Sequence, residues 1–268
     1  MQGSNDGPYR LLGLEEAPAH FESASQKARV ATEGWARRLG CPNCGAATLD
    51  QMPNNSRVSD LRCPNCPEEY ELKSTKGKFG RRVTDGAYAT MCERLTARNN
   101  PNLMLLAYDA ATNEATDVIV VPKHFFTLGL IEERKPLAPT ARRAGWVGCN
   151  INIGQVPPSG RIILLKDRQW VPSDVVRRHW QSTLFLREAS LEARGWLLEV
   201  MKSVEAIKRV EFTLDDVYAS EARLQARFPG NRNVRPKIRQ QLQVLRDRGY
   251  LEFLGRGTYR RSGNAGSR

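Results

Sequence analysis

The chain has 268 residues, with 41 Lys and Arg against 29 Asp and Glu, a net charge of +12 and an isoelectric point near 9.7. That length suits one large core or two small ones, two being expected, and the charge points to a polyanionic partner, nucleic acid before membrane. No stretch approaches the ~18 apolar residues of a membrane span, and the polar segment Met1–Ala17 lacks the apolar run of a signal peptide, so a cytoplasmic protein is expected, in which six cysteines favour metal ligation over disulfides.

Residues 1–18 read as a loosely packed lead. Residues 19–39 place Phe21, Ala28, Val30, Ala31, Trp35 and Leu39 near a 3.6 period, which predicts a helix that Gly40 can end. Residues 41–66 are rich in Cys, Pro, Asn and Asp and read as loop. Tyr70 to Lys73 alternates as a strand does, and Asp85 to Asn99 has helical spacing. Asn102 to Tyr108, Asp117 to Val121 and Arg161 to Leu165 are β-prone apolar runs, with a basic Pro- and Gly-containing loop at 132–148. This is an α/β core. Beyond residue 185 the order changes: a helix from Ser190 to Val210, a second starting near Thr213, a third from Val234 to Arg248, then a hairpin across Gly255-Arg256-Gly257. Helices followed by a short hairpin is the winged-helix order, so the expected domains are 1–185 and 186–268.

Cys41-Pro-Asn-Cys44 and Cys63-Pro-Asn-Cys66 are separated by 18 residues. Two residues between cysteines let both thiolates reach one tetrahedral ion, and four thiolates close its shell. A structural Zn²⁺ site is therefore expected. A redox Cys-x-x-Cys pair is the alternative, against which the duplication speaks. Cys92 and Cys149 stand outside this scheme and read as small buried hydrophobes.

Glu69, Glu71 and Lys73 are spaced by two, so on a strand they share one face while Tyr70 and Leu72 face the core. Asp60 lies on the other side of the second knuckle, which can return the chain and set Asp60 beside Glu71. Two carboxylates make a hard oxygen site suited to Mg²⁺, and a neighbouring lysine can orient water and stabilise charge on a phosphate. Many exposed strands carry Glu-x-Lys merely as a solvated pair, and that reading stays open on these residues alone. His20, His124 and His179 lack metal-ligand spacing and read as structural, and no phosphate-binding or nucleophile-elbow motif occurs.

From Arg223 to Arg268 there are 12 Lys and Arg and two acids, a net of +10 in 46 residues. In the third helix Val234, Ile238, Leu242 and Leu245 make the buried stripe, while Arg232, Arg235 and Arg239 lie on another face, as a recognition helix requires. Gln240, Gln241 and Gln243 can add amide contacts to adenine, and Arg256 at the hairpin tip can reach phosphate. A solvated basic helix in a protein-binding winged helix is the alternative. Arg142, Arg143 and Trp146 form a second basic element, in which the indole either stacks on bases or anchors its loop.

Several long segments occur together and in order: Ser25 to Arg29, the two Cys-Pro-Asn-Cys knuckles, Glu68 to Gly77, Asp85 to Met91, Arg134 to Asn150, Phe212 to Tyr218 and Ile238 to Asp247. In these the chain resembles the DpnI-like methyl-directed type II restriction endonucleases. The resemblance implies a PD-(D/E)xK nuclease core with an inserted zinc knuckle, followed by a winged-helix domain. It implies that Asp60, Glu71 and Lys73 are catalytic, and that Asp60, Glu71 and the Leu72 carbonyl hold Mg²⁺. It implies action on double-stranded DNA with N6-methyladenine in GATC, and a monomer is expected. Ser59 stands where the general motif has proline. A non-cleaving zinc-containing reader of methylated DNA and a structure-specific repair nuclease are the competing readings.

Overall fold

The computed structural model describes residues 10–13, 23–53 and 59–262. Most of the lead, together with His20 and Phe21, lies outside the described residues. Those residues fall into two compact units, one within Met1–Gly154 and Arg161–Gln181, the other within Gln155–Gly160 and Ser182–Arg268. The division therefore comes a few residues earlier than 185/186, and a short early segment joins the second unit. Polar anchoring explains the transfer: the amide and hydroxyl of Ser159 donate to Glu205 at 3.0 and 2.6 Å, and the Tyr250 hydroxyl donates to the same carboxylate.

In the first unit, α1 (Ala24–Ala36) buries Ala31, Trp35 and Ala36 and runs on through one 3₁₀ turn, Arg37–Leu39. It stops at Gly40, whose φ is 70° and whose missing Cβ would meet the Ala46 carbonyl at 2.8 Å, so only glycine fits there. Next come β1 (Asp50–Gln51), β2 (Leu61–Arg62) and β3 (Glu69–Lys76), paired antiparallel with Asp50 opposite Arg62 and Leu61 opposite Tyr70. Then follow β4 (Val83–Ala87), α2 (Tyr88–Ala97), β5 (Asn102–Asp109), β6 (Glu114–Val121), β7 (Ile131–Glu133), β8 (Gly148–Ile151), β9 (Ile162–Lys166), β10 (Gln169–Trp170) and α3 (Ser173–Gln181).

The central sheet has the order β1-β2-β3-β5-β6-β9-β10. Only β3 and β5 run parallel, with Tyr70 opposite Asn102 and Lys73 opposite Leu105. Seven of the eight β5 residues are buried, and such a two-sided burial explains its unbroken apolar run. A smaller antiparallel sheet, β4-β8-β7, stands beside it.

The helix expected from Asp85 begins only at Tyr88. Asp85 and Ala87 pair instead with Cys149 and Gly148 in β4, across a bulge. Asp and Gly are weak helix formers, and the ladder to β8 outweighs the apolar spacing of this segment. The loop at 132–148 likewise has strand at both ends.

In the second unit, α4 (Leu191–Ala206) is capped by Ser190, whose hydroxyl accepts the Ala193 amide at 3.2 Å. It ends earlier than the expected Val210 because Ile207 turns extended. Then come β11 (Glu211–Thr213), α5 (Leu214–Tyr218), α6 (Glu221–Arg227), α7 (Val234–Asp247), β12 (Leu251–Gly255) and β13 (Thr258–Arg261). Thr213 and Asp216 form a reciprocal capping box at the start of α5. α7 buries Val234, Ile238, Leu242 and Leu245. Arg256 and Gly257 both have positive φ, 47° and 74°, as a two-residue hairpin with right-twisted strands needs. No helix among the described residues is long and apolar enough to cross a membrane.

Candidate active site

The four knuckle cysteines converge. Their sulfur atoms all lie within 4.8 Å of one another, with Cys41 to Cys66 at 3.6 Å and Cys44 to Cys63 at 3.4 Å. Donors surround them: the Tyr70 hydroxyl lies 3.1 Å from Cys41 Sγ, the Asn43 amide donates to Cys66 at 3.5 Å and the Asn65 backbone to Cys63 at 3.4 Å. Donors aimed at sulfur suit thiolates, and a tetrahedral thiolate set suits Zn²⁺. From α3, Gln181 donates to the Asn43 carbonyl at 3.0 Å, and Arg177 packs where a side chain on Gly45 would be. α3 thus braces the knuckle from outside.

The second knuckle, Cys63–Cys66, occupies the turn between β2 and β3. At its base Cys63 donates its amide to the Glu68 carbonyl at 2.8 Å, and Asp60 donates to the Tyr70 carbonyl at 2.9 Å. This closed ladder places Asp60 next to β3, where its Oδ2 accepts the Leu72 amide at 2.8 Å. Asp60, Glu71, Leu72 and Lys73 line one cleft of about 340 Å³ with Arg29, Thr32, Glu33 and Ser74. Two carboxylates lining one cleft are a donor set that fits Mg²⁺.

Lys73 Nζ lies 2.7 Å from Glu71 Oε1 and 2.8 Å from Asp85 Oδ1. Burial pushes the Glu71 carboxyl up to about 7, with Lys73 opposing and Asp85 adding to the rise. Burial alone would lower the Lys73 ammonium, but Glu71 and Asp85 outweigh it and hold it above its ordinary range. Burial would raise Asp85, and Lys73 outweighs that too, so Asp85 falls below the usual carboxylate range. Cys149, fully buried opposite Asp85, is pushed up to about 12, mainly by burial. It is the small core residue its sequence suggests, whereas Cys92 is only half-buried.

The second unit also presents its basic residues. Arg232, Arg235, Arg239 and Arg256 are exposed. Arg235 pairs with Glu221 at 2.8 Å and lies 4.8 Å over the Tyr218 ring, and Arg239 donates to the Tyr218 hydroxyl at 3.0 Å.

A family model described as the Dam-replacing family (DpnI) matches residues 14–189, and one described as the Dam-replacing HTH domain matches residues 192–261. The chain belongs to the Dam-replacing family. It is thus a DpnI-type nuclease whose C-terminal unit is a helix-turn-helix DNA-binding domain.

Within this Dam-replacing fold, two expectations about residues proposed to face DNA need correction. Gln241 is only 5 % exposed and belongs to the core of the second unit, because it falls beside Leu242 on the buried side of α7. Arg232 precedes α7, whose N-cap is Asn233, so it shares no helix face with Arg235 and Arg239. Around the first unit's basic loop, Arg142 and Arg143 are exposed and Trp146 is half-buried. The Arg143 guanidinium sits 4.6 Å over the Trp146 ring, which covers Gly148 so closely that a Cβ there would meet it at 2.8 Å. Trp146 therefore makes the loop-anchoring contacts.

Sequence patterns alone do not mark Glu33 at the cleft or Asp85 beside Lys73. Arg29 donates to Glu33 at 2.6 Å from one turn earlier in α1, and that i, i+4 pair was the available signal. For Asp85 there was none, since the ladder that places it is non-local.

Proposed function

We propose that this protein is a type II restriction endonuclease that hydrolyses double-stranded DNA at GATC sites containing N6-methyladenine, with Mg²⁺ as catalytic ion, Zn²⁺ as structural ion, and a monomer as the working unit. The observation that carries the reading is the meeting of Asp60, Glu71 and Lys73 in one cleft of a Dam-replacing chain. Asp60, Glu71 and the Leu72 carbonyl would hold the Mg²⁺. When bound, that ion supplies charge to a phosphodiester and acidity to a water molecule.

The chain's own residues do the rest. The Leu72 amide fixes the Asp60 carboxylate on the cleft side of β3. Lys73 carries a positive charge beside Glu71, where it can contact a phosphate oxygen and the attacking water. Substrate reading falls to the exposed Arg142 and Arg143 beside the half-buried Trp146 in the first unit, and to the exposed Arg232, Arg235, Arg239 and Arg256 in the second. In this reading the first unit is the endonuclease domain and the second the winged-helix DNA-binding domain.

The test is a paired digestion with Mg²⁺ of one plasmid, with and without N6-methylated GATC. Fragments from the methylated plasmid alone support the proposal. Equal cutting of both leaves a nuclease of another specificity, such as a structure-specific repair enzyme. Binding of methylated DNA without a nick leaves a non-cleaving reader.

A further inference from the structure

We infer that Asp85 is a positioning residue for Lys73, holding its ammonium in place when Glu71 turns to a divalent cation; this rests on the cleft being the nuclease centre. Asp85 Oδ1 lies 2.8 Å from Lys73 Nζ, as close as Glu71 Oε1 is at 2.7 Å. Yet Asp85 comes from a different sheet. It stands on β4, where the register shifts between Asp85 and Ala87, and a bulge of this kind re-aims a side chain.

Asp85 also stays off the cleft wall. It is absent from the residues lining the cleft, its side chain is 5 % exposed, and its Oδ2 is buried with no hydrogen-bond partner among the described residues. A cation entering the cleft meets Asp60 and Glu71, and it competes with Lys73 for Glu71. Were Glu71 the lysine's sole partner, that competition would strand a largely buried ammonium, which is costly. Asp85 leaves the ammonium one charge-assisted bond throughout, so cation and lysine can occupy the site together. Glu71 is the shared partner and Asp85 the permanent one.

The experiment is Mn²⁺ binding by calorimetry on the full chain, for the wild type, Asp85→Asn, Lys73→Met and the double variant. Asp85→Asn should weaken Mn²⁺ about tenfold with lysine present. With methionine at position 73 it should do so by at most about threefold, the residue of a through-space effect. Equal weakening in both backgrounds overturns the inference, because Asp85 would then act on the cation directly. No weakening with lysine present overturns it as well. Asp85→Ser repeats the comparison if the asparagine variant does not melt cooperatively. A wild-type protein that takes no Mn²⁺ and cuts no DNA sinks the nuclease reading and this inference together. A wild type that binds and cuts, with Asp85→Asn changing neither, sinks this inference alone.

Discussion

The Leu72 amide donates to Asp60 Oδ2 at 2.8 Å, across 12 positions of sequence that contain the second cysteine pair. One carboxylate is thereby held by the backbone of the strand that carries the other. The second cysteine pair closes the loop between them, so the four-cysteine cluster sets the geometry of the cleft without lining it.

Removing the charge that this bond positions should stop the chemistry and spare the fold. Asp60→Asn keeps an acceptor for Leu72 but loses a hard anionic donor, and Lys73→Ala loses the cation beside Glu71. Each should lower single-turnover cleavage by about 10³-fold or more. Duplex binding, measured in Ca²⁺, should stay within about threefold of wild type. A variant that cleaves normally would remove its residue from the catalytic set.

The knuckle reports to the cleft through Tyr70, which is fully buried and contacts Cys41 Sγ at 3.1 Å, between Glu69 and Glu71 on β3. Tyr70→Phe deletes that one donor and no carbon. Losing a partner of a metal ligand costs about 10–100-fold in metal affinity. Competition with a chromogenic chelator should therefore show zinc leaving the variant at least about tenfold more readily. Equal retention would mean that the hydroxyl does not support a thiolate.

Glu71 gives a pH dependence whose sign is fixed. Burial raises its carboxyl from 4.5 to about 7 in the metal-free protein. A raised acid stabilises the fold while protonated, fully below the unfolded value of 4.5, and that contribution is lost as pH rises through about 7. Mg²⁺ needs the ionised form, so below about 7 it must displace a proton. The Mg²⁺ concentration for half-maximal cleavage should rise by up to about tenfold per pH unit on the acid side of that value and flatten above it. A half-saturation that does not move between acid and alkaline buffer would show that Glu71 is not a ligand.

What the sequence made legible follows the range of the interactions. Cys41, Cys44, Cys63 and Cys66 announce themselves by local spacing, and the stripe Val234, Ile238, Leu242 and Leu245 by period, because one helix or one knuckle decides both. Asp60 and Glu71 sit 11 positions apart, and only the β2–β3 ladder pairs them. The helical spacing of the residues after Asp85 predicts a helix that starts there. Its strand exists through pairing with Cys149, 64 positions away, which no window on the sequence contains. The polarity of glutamine predicts a base contact for Gln241. Its burial follows from its place on α7, next to Leu242, a matter of helix phase that composition ignores.

That helix phase separates two effects on α7. Arg235 and Arg239 are exposed and gathered around Tyr218, whereas Gln241 is buried. If Arg235 neutralises a phosphate, Arg235→Ala should weaken binding to methylated and unmethylated duplex alike. It should also reduce the slope of log affinity against log salt by about 1. Freeing Arg235 from Glu221 at 2.8 Å tests the same point in reverse: Glu221→Gln removes a competitor for the guanidinium and should leave the slope intact or steeper. Gln241→Ala should instead lower the melting temperature of the second unit, with a cost of about 1–3 kcal/mol for a vacated buried polar position, and leave the salt slope unchanged. Titrations of one duplex at three salt concentrations, beside thermal melts, would distinguish these outcomes. An unchanged slope in Arg235→Ala would move the phosphate contact away from α7, towards the wing at Arg256 or the loop of Arg142 and Arg143.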